Sequence, residues 1–298
     1  MSVVLRNDYQ SRVLRDEPMS LHTSWHVGGP AEIYFTPRDR DDLATFLREL
    51  PAETPILWVG LGSNLLVRDG GIRGVVIAPQ GSFMRLERLA ETRVYCEVSV
   101  PCTRLARQCQ KWGLAQGEFF AGIPGALGGA LAMNAGAYGG ETWNHVQSVE
   151  VVARDGAIRR RAAGEFQPGY RHVGRPANDE WFLSAELQFT RGEPGQAEHV
   201  RELSERRKRT QPLGQWSCGS VFTNPPGDHA ARLIEAAGLK GHRIGGAVVS
   251  EKHANFILNE GNATARDLEQ LIMHVRDTVR NLHGITLMPE VKIVGEPG

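Results

Sequence analysis

Residues 121–140 read AGIPGALGGALAMNAGAYGG. Gly122, Gly125, Gly128, Gly129, Gly136, Gly139 and Gly140 crowd this run, with small alanines between them. Few side chains here are large enough to build a core of their own. Glycine also lets a ligand or another backbone approach main-chain N–H groups closely. A linker or plain tight packing would also use glycine, but linkers are polar and Gly/Ser- or Pro-rich. This run carries Ile123, Leu127, Leu131, Met133 and Tyr138, and Asn134 is its one strongly polar residue. It therefore reads as a packed wall against which a large, flat, anionic ligand lies.

A second glycine-bearing loop, Gly60-Leu61-Gly62-Ser63-Asn64, follows the short apolar strand predicted at Ile56–Val59. Its N–H groups suit an anion, as in a backbone nest, although an ordinary strand-end turn reads the same way. Leu65 stands where a Rossmann fingerprint needs its third glycine, and Leu65-Leu66-Val67 returns to strand instead of opening a helix. A Rossmann dinucleotide site is therefore disfavoured. Two phosphate-sized glycine loops in one chain still match the amount of backbone a dinucleotide needs.

At 298 residues the chain exceeds what one core usually supports, about 250 residues, so two or three domains are expected. Hydrophobic content of 41% and charged content of 23% fit a soluble globular protein, and a net charge of zero favours neither nucleic acid nor an anionic membrane as partner. Cys96, Cys102, Cys109 and Cys218 form no CxxC and have no histidine pair at zinc spacing. They read as reduced thiols without metal or disulfide. The N-terminal segment has no apolar core of signal-peptide length, and no window has the apolar length to span a bilayer. A cytoplasmic location is expected.

Residues 1–20 show no period. Thr23–Pro37 reads as strand, Gly-Gly-Pro turn, strand. Apolar spacing predicts a helix over Asp39–Leu50, stopped by Pro51, and another over Thr103–Trp112 with Gly113 as left-handed cap. Val75–Ala78, Arg93–Val98 and Phe182–Phe189 read as strands. Val149–Ala153 and Ala157–Arg161 form a hairpin around Asp155-Gly156. After a break at Arg191–Gly195, a basic helix over Glu198–Arg209 reads as a solvated face. Asp228 is a candidate cap for a helix running to Gly238. Thr264 and Asp267 open the longest helix, closed by Gly284. Met288–Val294 is the last strand. This irregular alternation predicts an α+β fold.

Several residues carry possible chemistry, each with a bland alternative. Ser220, in Cys218-Gly219-Ser220-Val221, is not in a GxSxG elbow; it is a turn serine or a proton donor helped by neighbouring charge. Arg171, after Pro168-Gly169-Tyr170, offers a planar fork for a carboxylate or phosphate, or is a surface arginine. Glu290 interrupts the apolar ITLMPEVKIV, so it is exposed, paired or functional. Lys252 and His253 precede the apolar Phe256-Ile257-Leu258 and either face a ligand or begin a solvated strand.

From Thr23 to Gly295 the chain carries TSWHVGGPA, VGLGSNLLV, GIPGALGGALAMNAGAYGGE, YR, RTQP, GSVFTNP, LIEAAGLKG, GGAVVSEKHANFILN, ATARDL and PEVKIVG. In order and spacing it resembles the UDP-N-acetylenolpyruvoylglucosamine reductases, flavin enzymes of bacterial peptidoglycan precursor synthesis and cell-wall biogenesis. The absence of a long tyrosine-bearing insertion places the resemblance with the shorter subclass. It departs from the family's usual Gly-Gly-Gly-Ser-Asn at Gly60-Leu61-Gly62, and Trp216-Ser217-Cys218-Gly219 stands where Asn-Ala-Gly is common.

The resemblance implies an α+β protein. Its FAD-binding domain would be of the vanillyl-alcohol oxidase type in two subdomains, 1–80 and 81–192, followed by an α+β substrate domain at 193–298. It implies non-covalent FAD, consistent with the lack of a histidine after Gly28-Gly29, and NADPH as hydride donor. The implied partner is a UDP-sugar, with no nucleic acid or membrane, and the protein is expected as a monomer. Hydride would pass from flavin N5 to substrate C3. Arg171 and Glu290 would stabilise the enolate, and Ser220 would protonate C2. The positions matching the FAD site are Gly60, Gly62, Ser63, Asn64, Leu65, Gly122, Ile123, Pro124, Gly125, Gly128, Gly129, Asn134, Ala135 and Gly136. Those assigned to substrate are Tyr170, Gln211, Asn224 and Lys252.

Overall fold

The computed structural model describes residue 9, residues 12–192 and residues 196–298. Pro194 and Gly195 of the expected break lie outside the described residues. Helices and strands mix irregularly, as the α+β expectation requires. The chain divides into two compact units, each assembled from three separated pieces. One comprises Met1–Leu14, Phe35–Gly60 and Val76–Glu205; the other comprises Arg15–Tyr34, Leu61–Val75 and Arg206–Gly298.

The first unit is built on a five-stranded sheet ordered Ile158–Ala162, Val146–Ala153, Glu180–Gln188, Arg93–Glu97, Leu86–Arg88. Val146–Ala153 and Ile158–Ala162 pair antiparallel around the Asp155-Gly156 turn, as the sequence predicts. Helix α1 (Arg40–Glu49) is capped by Asp39, whose carboxylate accepts from Asp42 N. Helix α2 (Cys102–Lys111) buries Leu105, Ala106 and Cys109 on one stripe and passes into Gly113 in the left-handed region. The sequence pattern marks no element in 121–140, yet Leu127–Met133 forms helix α3, and Gly136–Ala137 pairs with Gly140–Glu141. Glycine hides the helical period there, because only Leu127, Ala130 and Leu131 are buried. The basic helix α4 (Gln196–Thr210) carries Arg207, Lys208 and Arg209 in its last turn, where cations suit the helix dipole.

In the second unit the core gathers Trp25, Leu66, Phe222, Leu233, Ile257 and the inner face of the longest helix. Helices α5 (Ala230–Ala236) and α6 (Ala265–His283) supply much of it. Leu268, Leu271, Ile272, Val275 and Val279 of α6 are buried, each stabilising by roughly 1.5–3 kcal/mol relative to exposure. Thr264 and Asp267 form the expected capping box. Asp69, far away in sequence, adds a second cap by accepting from Ala265 N at 3.0 Å and Arg266 N at 2.9 Å. Arg68 grips Glu269 with two parallel bonds of 2.9 and 2.8 Å, and that contact holds the Glu269 carboxyl below its usual range.

Four local expectations are corrected. Of the two strands read in Thr23–Pro37, only Pro30–Phe35 forms. Trp25 is instead buried with its Nε1 donating to Ile257 O at 2.8 Å, and Thr23 Oγ1 closes a turn onto Val27 O. Val13–Pro18 is a strand with little burial, so it left no apolar pattern to read. Asp228 does not cap α5. It pairs with Arg232, while Asn224 Oδ1 accepts from Ala230 N at 3.1 Å. The last strand is confined to Lys292–Val294, which runs parallel to Leu65–Val67.

The four cysteines are buried free thiols; burial pushes Cys102 and Cys109 up to about 12 and the other two well up, which leaves them unreactive. No helix among the described residues is long and apolar enough to cross a membrane.

Candidate active site

In the second unit, Ser220 and Glu290 stand on segments that face each other. Val221 O accepts from Glu290 N at 2.8 Å, Phe222 bridges Pro289, and Thr223 N donates to Met288 O at 3.0 Å. Gly219, at φ +79°, makes the turn that delivers Ser220 to this pairing, and a side chain at Gly219 would be strained. Ser220 and Glu290 are both part-exposed, whereas Cys218 beside them is 4% exposed. Burial, then the nearby Glu290 carboxylate, pushes the Cys218 thiol up.

Asn255 locks the segment after Ser220. Its Oδ1 accepts from Phe222 N at 3.0 Å and its Nδ2 donates to Phe222 O at 2.8 Å, all buried. Its backbone O takes Val221 N at 2.9 Å. Asn255→Ala leaves two buried main-chain groups unpaired and is expected to destabilise by about 3 kcal/mol. Urea unfolding of the variant checks this.

The Gly60–Leu65 loop meets the same region. Asn64 Nδ2 donates to Glu290 O at 3.1 Å, and Lys292 N donates to Asn64 O at 3.1 Å. Leu65 then starts the parallel pairing with Lys292. A Cβ on Gly62 would fall 2.0 Å from His22 O, so packing within the protein already demands that glycine. Ser63 occupies the turn between them. Gln211, Asn224 and Lys252 lie in this unit too, each with an internal partner. Gln211 Oε1 accepts from Arg207 Nε at 2.7 Å, Asn224 caps α5, and Lys252 Nζ donates to Lys208 O at 2.6 Å.

In the first unit the glycine run and Arg171 come together. Arg171 sits at the tip of the hairpin Gln167–Gly169/His172–Gly174, at φ +57°. Its Nη2 donates to Gly136 O at 3.1 Å, and its guanidinium lies 5.0 Å from the centroid of the exposed Tyr170 ring. Asn134 Nδ2 donates to Gly169 O at 3.0 Å. The backbone of Ile123, Gly125, Gly128 and Ala135 bonds to neighbouring loops and α3, and Pro124 is exposed between them.

The glycines separate into two kinds. A Cβ on Gly122 would meet Ala137 Cβ at 2.5 Å, one on Gly128 Val98 Cβ at 3.0 Å, and one on Gly136 Gly140 O at 2.3 Å. Internal packing accounts for these three. A Cβ on Gly60 or Gly129 meets nothing within 4 Å. Gly129 lies inside α3, where glycine costs about 1 kcal/mol relative to alanine, and no internal contact requires it. The exposed backbone at Gly129 leaves room for a flat cofactor to lie on it.

A family model of the FAD binding domain matches residues 31–161. With the glycine surfaces, it defines an FAD-dependent oxidoreductase. A second model, the C-terminal domain of UDP-N-acetylenolpyruvoylglucosamine reductase, matches residues 211–294. Curated reductases of that name are 59% identical in Alkalilimnicola ehrlichii, covering 94% of both chains, and 56% identical in Methylococcus capsulatus, covering 95% of this chain and 93% of the relative. The crystal structure of the Thermus caldophilus reductase superposes with a TM-score of 0.82 at 32% identity, covering 95% of this chain and 98% of that one. The chain belongs to the UDP-N-acetylenolpyruvoylglucosamine reductase family.

Proposed function

We propose that this protein reduces the enolpyruvyl group of UDP-N-acetylglucosamine enolpyruvate to UDP-N-acetylmuramate, with NADPH as reductant, in the cytoplasmic synthesis of peptidoglycan precursor. Family membership supports the reaction. The observation that carries the residue assignment is the pairing of Val221 with Glu290, which puts Ser220 and a carboxyl group on neighbouring segments although they are far apart in sequence.

The chemistry FAD supplies when bound is hydride transfer, taken from NADPH and passed to C3 of the enolpyruvyl group. Arrival of hydride at C3 leaves negative charge on C2 and its carboxylate. A cation and hydrogen-bond donors placed where that charge develops lower the barrier. Arg171 supplies the cation and a planar fork matched to a carboxylate. Glu290 is the second residue assigned to stabilising the enolate. Ser220 gives its hydroxyl proton to C2, and solvent restores it.

FAD would be held non-covalently along Gly60, Gly62, Ser63, Asn64 and Leu65 and along Gly122–Gly125, Gly128, Gly129 and Asn134–Gly136. Tyr170, Gln211, Asn224 and Lys252 face the UDP-sugar; Lys252 keeps donors beyond the one given to Lys208 O. The domain division proposed is 1–80 and 81–192 for FAD and 193–298 for substrate, in a monomer, with 15–34 and 61–75 packing into the same compact unit as 206–298.

The visible spectrum tests this reading. Purified protein is expected to show flavin absorbance that NADPH bleaches anaerobically. Protein that stays colourless after incubation with FAD, or a flavin that NADPH leaves oxidised, counts against it.

A further inference from the structure

We propose that Asn134 is a positioning residue for Arg171, an inference that rests on the role just given to Arg171. Asn134 ends α3 in the left-handed region, at φ +47°, a conformation asparagine tolerates well. It is 2% exposed, and its amide is held on three sides. Its Oδ1 accepts from Trp143 N at 3.0 Å, which fixes which way the amide faces, because a backbone N–H can only donate. Its Nδ2 then donates to Glu141 Oε2 at 3.0 Å and to Gly169 O at 3.0 Å.

Gly169 immediately precedes the two-residue turn Tyr170-Arg171 and pairs with His172 on its far side. Two residues after Asn134, Gly136 O receives Arg171 Nη2 at 3.1 Å. The stretch 134–136 therefore holds the arginine turn at two points, by its backbone and by its guanidinium. Arg171 stands at φ +57°, unusual for a residue with a side chain. Such a conformation persists where surrounding contacts over-determine it. The Asn134 amide is a contact of that kind, and Glu141 keeps it aimed. Both protons of Nδ2 already have acceptors, so Asn134 serves the reaction through Arg171 and gives its side chain to the protein.

The test is Asn134→Asp, studied as holoenzyme. Aspartate keeps the size, the left-handed tolerance and the acceptor for Trp143 N, and loses the donor to Gly169 O and Glu141. Both half-reactions are read per bound FAD, since Asn134 also borders the proposed cofactor surface, and the expected signature is a loss in reoxidation well beyond any loss in reduction by NADPH. Reoxidation of the reduced flavin by the enolpyruvyl substrate is expected to fall about 10–100-fold at pH 8, the scale of a misplaced catalytic group. Two carboxylates this close cannot both remain ionised easily, so the new carboxyl titrates high. Its protonated form regains a donor, and the loss is expected to shrink as pH falls. In the double variant with Arg171→Lys, the second change should add little to the first. Should Asn134→Asp melt too low to assay, Asn134→Gly removes the donor without adding charge, and the same selective loss is expected.

Equal losses per bound FAD in both half-reactions, or strict additivity with Arg171→Lys, overturns the proposal. Failure of the wild-type reduced flavin to be reoxidised by the enolpyruvyl substrate instead overturns the functional reading itself.

Discussion

Ser220→Ala is expected to leave flavin reduction by NADPH near the wild-type rate and to slow reoxidation by the enolpyruvyl sugar nucleotide about 10²–10⁴-fold, the range for loss of a general acid. That is about 3–5 kcal/mol of barrier. The selectivity follows from where the proton is needed. Reduction by NADPH requires none from Ser220, whereas the substrate's C2 must receive one. The fold has little reason to respond. Ser220 is part-exposed, and the neighbouring segment is locked by Asn255 and by the pairing of Val221 with Glu290, neither of which uses the serine hydroxyl. Stopped-flow absorbance separates the two half-reactions. Equal slowing of both would make Ser220 a structural serine.

Gly129→Leu is expected to yield a folded protein that binds FAD at least a hundredfold more weakly, about 3 kcal/mol. A Cβ at this position meets nothing in the protein within 4 Å, and leucine is the better helix former by somewhat under 1 kcal/mol. The apoprotein should therefore melt at or slightly above the wild-type temperature while the new side chain fills the cofactor's space. Gly136→Leu provides the contrast. Its Cβ would lie 2.3 Å from Gly140 O, so stability should drop before any question of cofactor arises. Flavin content after saturation with FAD, measured beside a circular-dichroism melt, checks both. Stoichiometric FAD on Gly129→Leu would remove α3 from the cofactor surface.

Elements with a strong period were legible in the sequence. Helices α1, α2 and α6 announce themselves through apolar spacing and caps, and Asp155-Gly156 marks its hairpin. The short helix α3 was not legible, because glycine and alanine give no contrast between its faces. Val13–Pro18 escaped for the opposite reason, being polar and mostly outward. Trp25 read as part of a strand because nothing local shows that its indole reaches Ile257 O. At the site, residue identities came from the motifs, but their arrangement did not. The pairing of Phe222 with Pro289 and the bond from Asn64 to Glu290 O join remote segments without any local pattern. Asn134 sits within a glycine motif that points to cofactor, and only the geometry turns its amide toward Gly169. Asn224 is similar: a residue in a substrate-like motif that also caps α5.

The most direct measurement mixes wild-type protein, reduced anaerobically with one equivalent of NADPH, with UDP-N-acetylglucosamine enolpyruvate in a stopped-flow spectrophotometer. The predicted result is full return of oxidised-flavin absorbance with formation of one equivalent of UDP-N-acetylmuramate. A reduced flavin that persists in the presence of that substrate, yet reoxidises once oxygen is admitted, would contradict it.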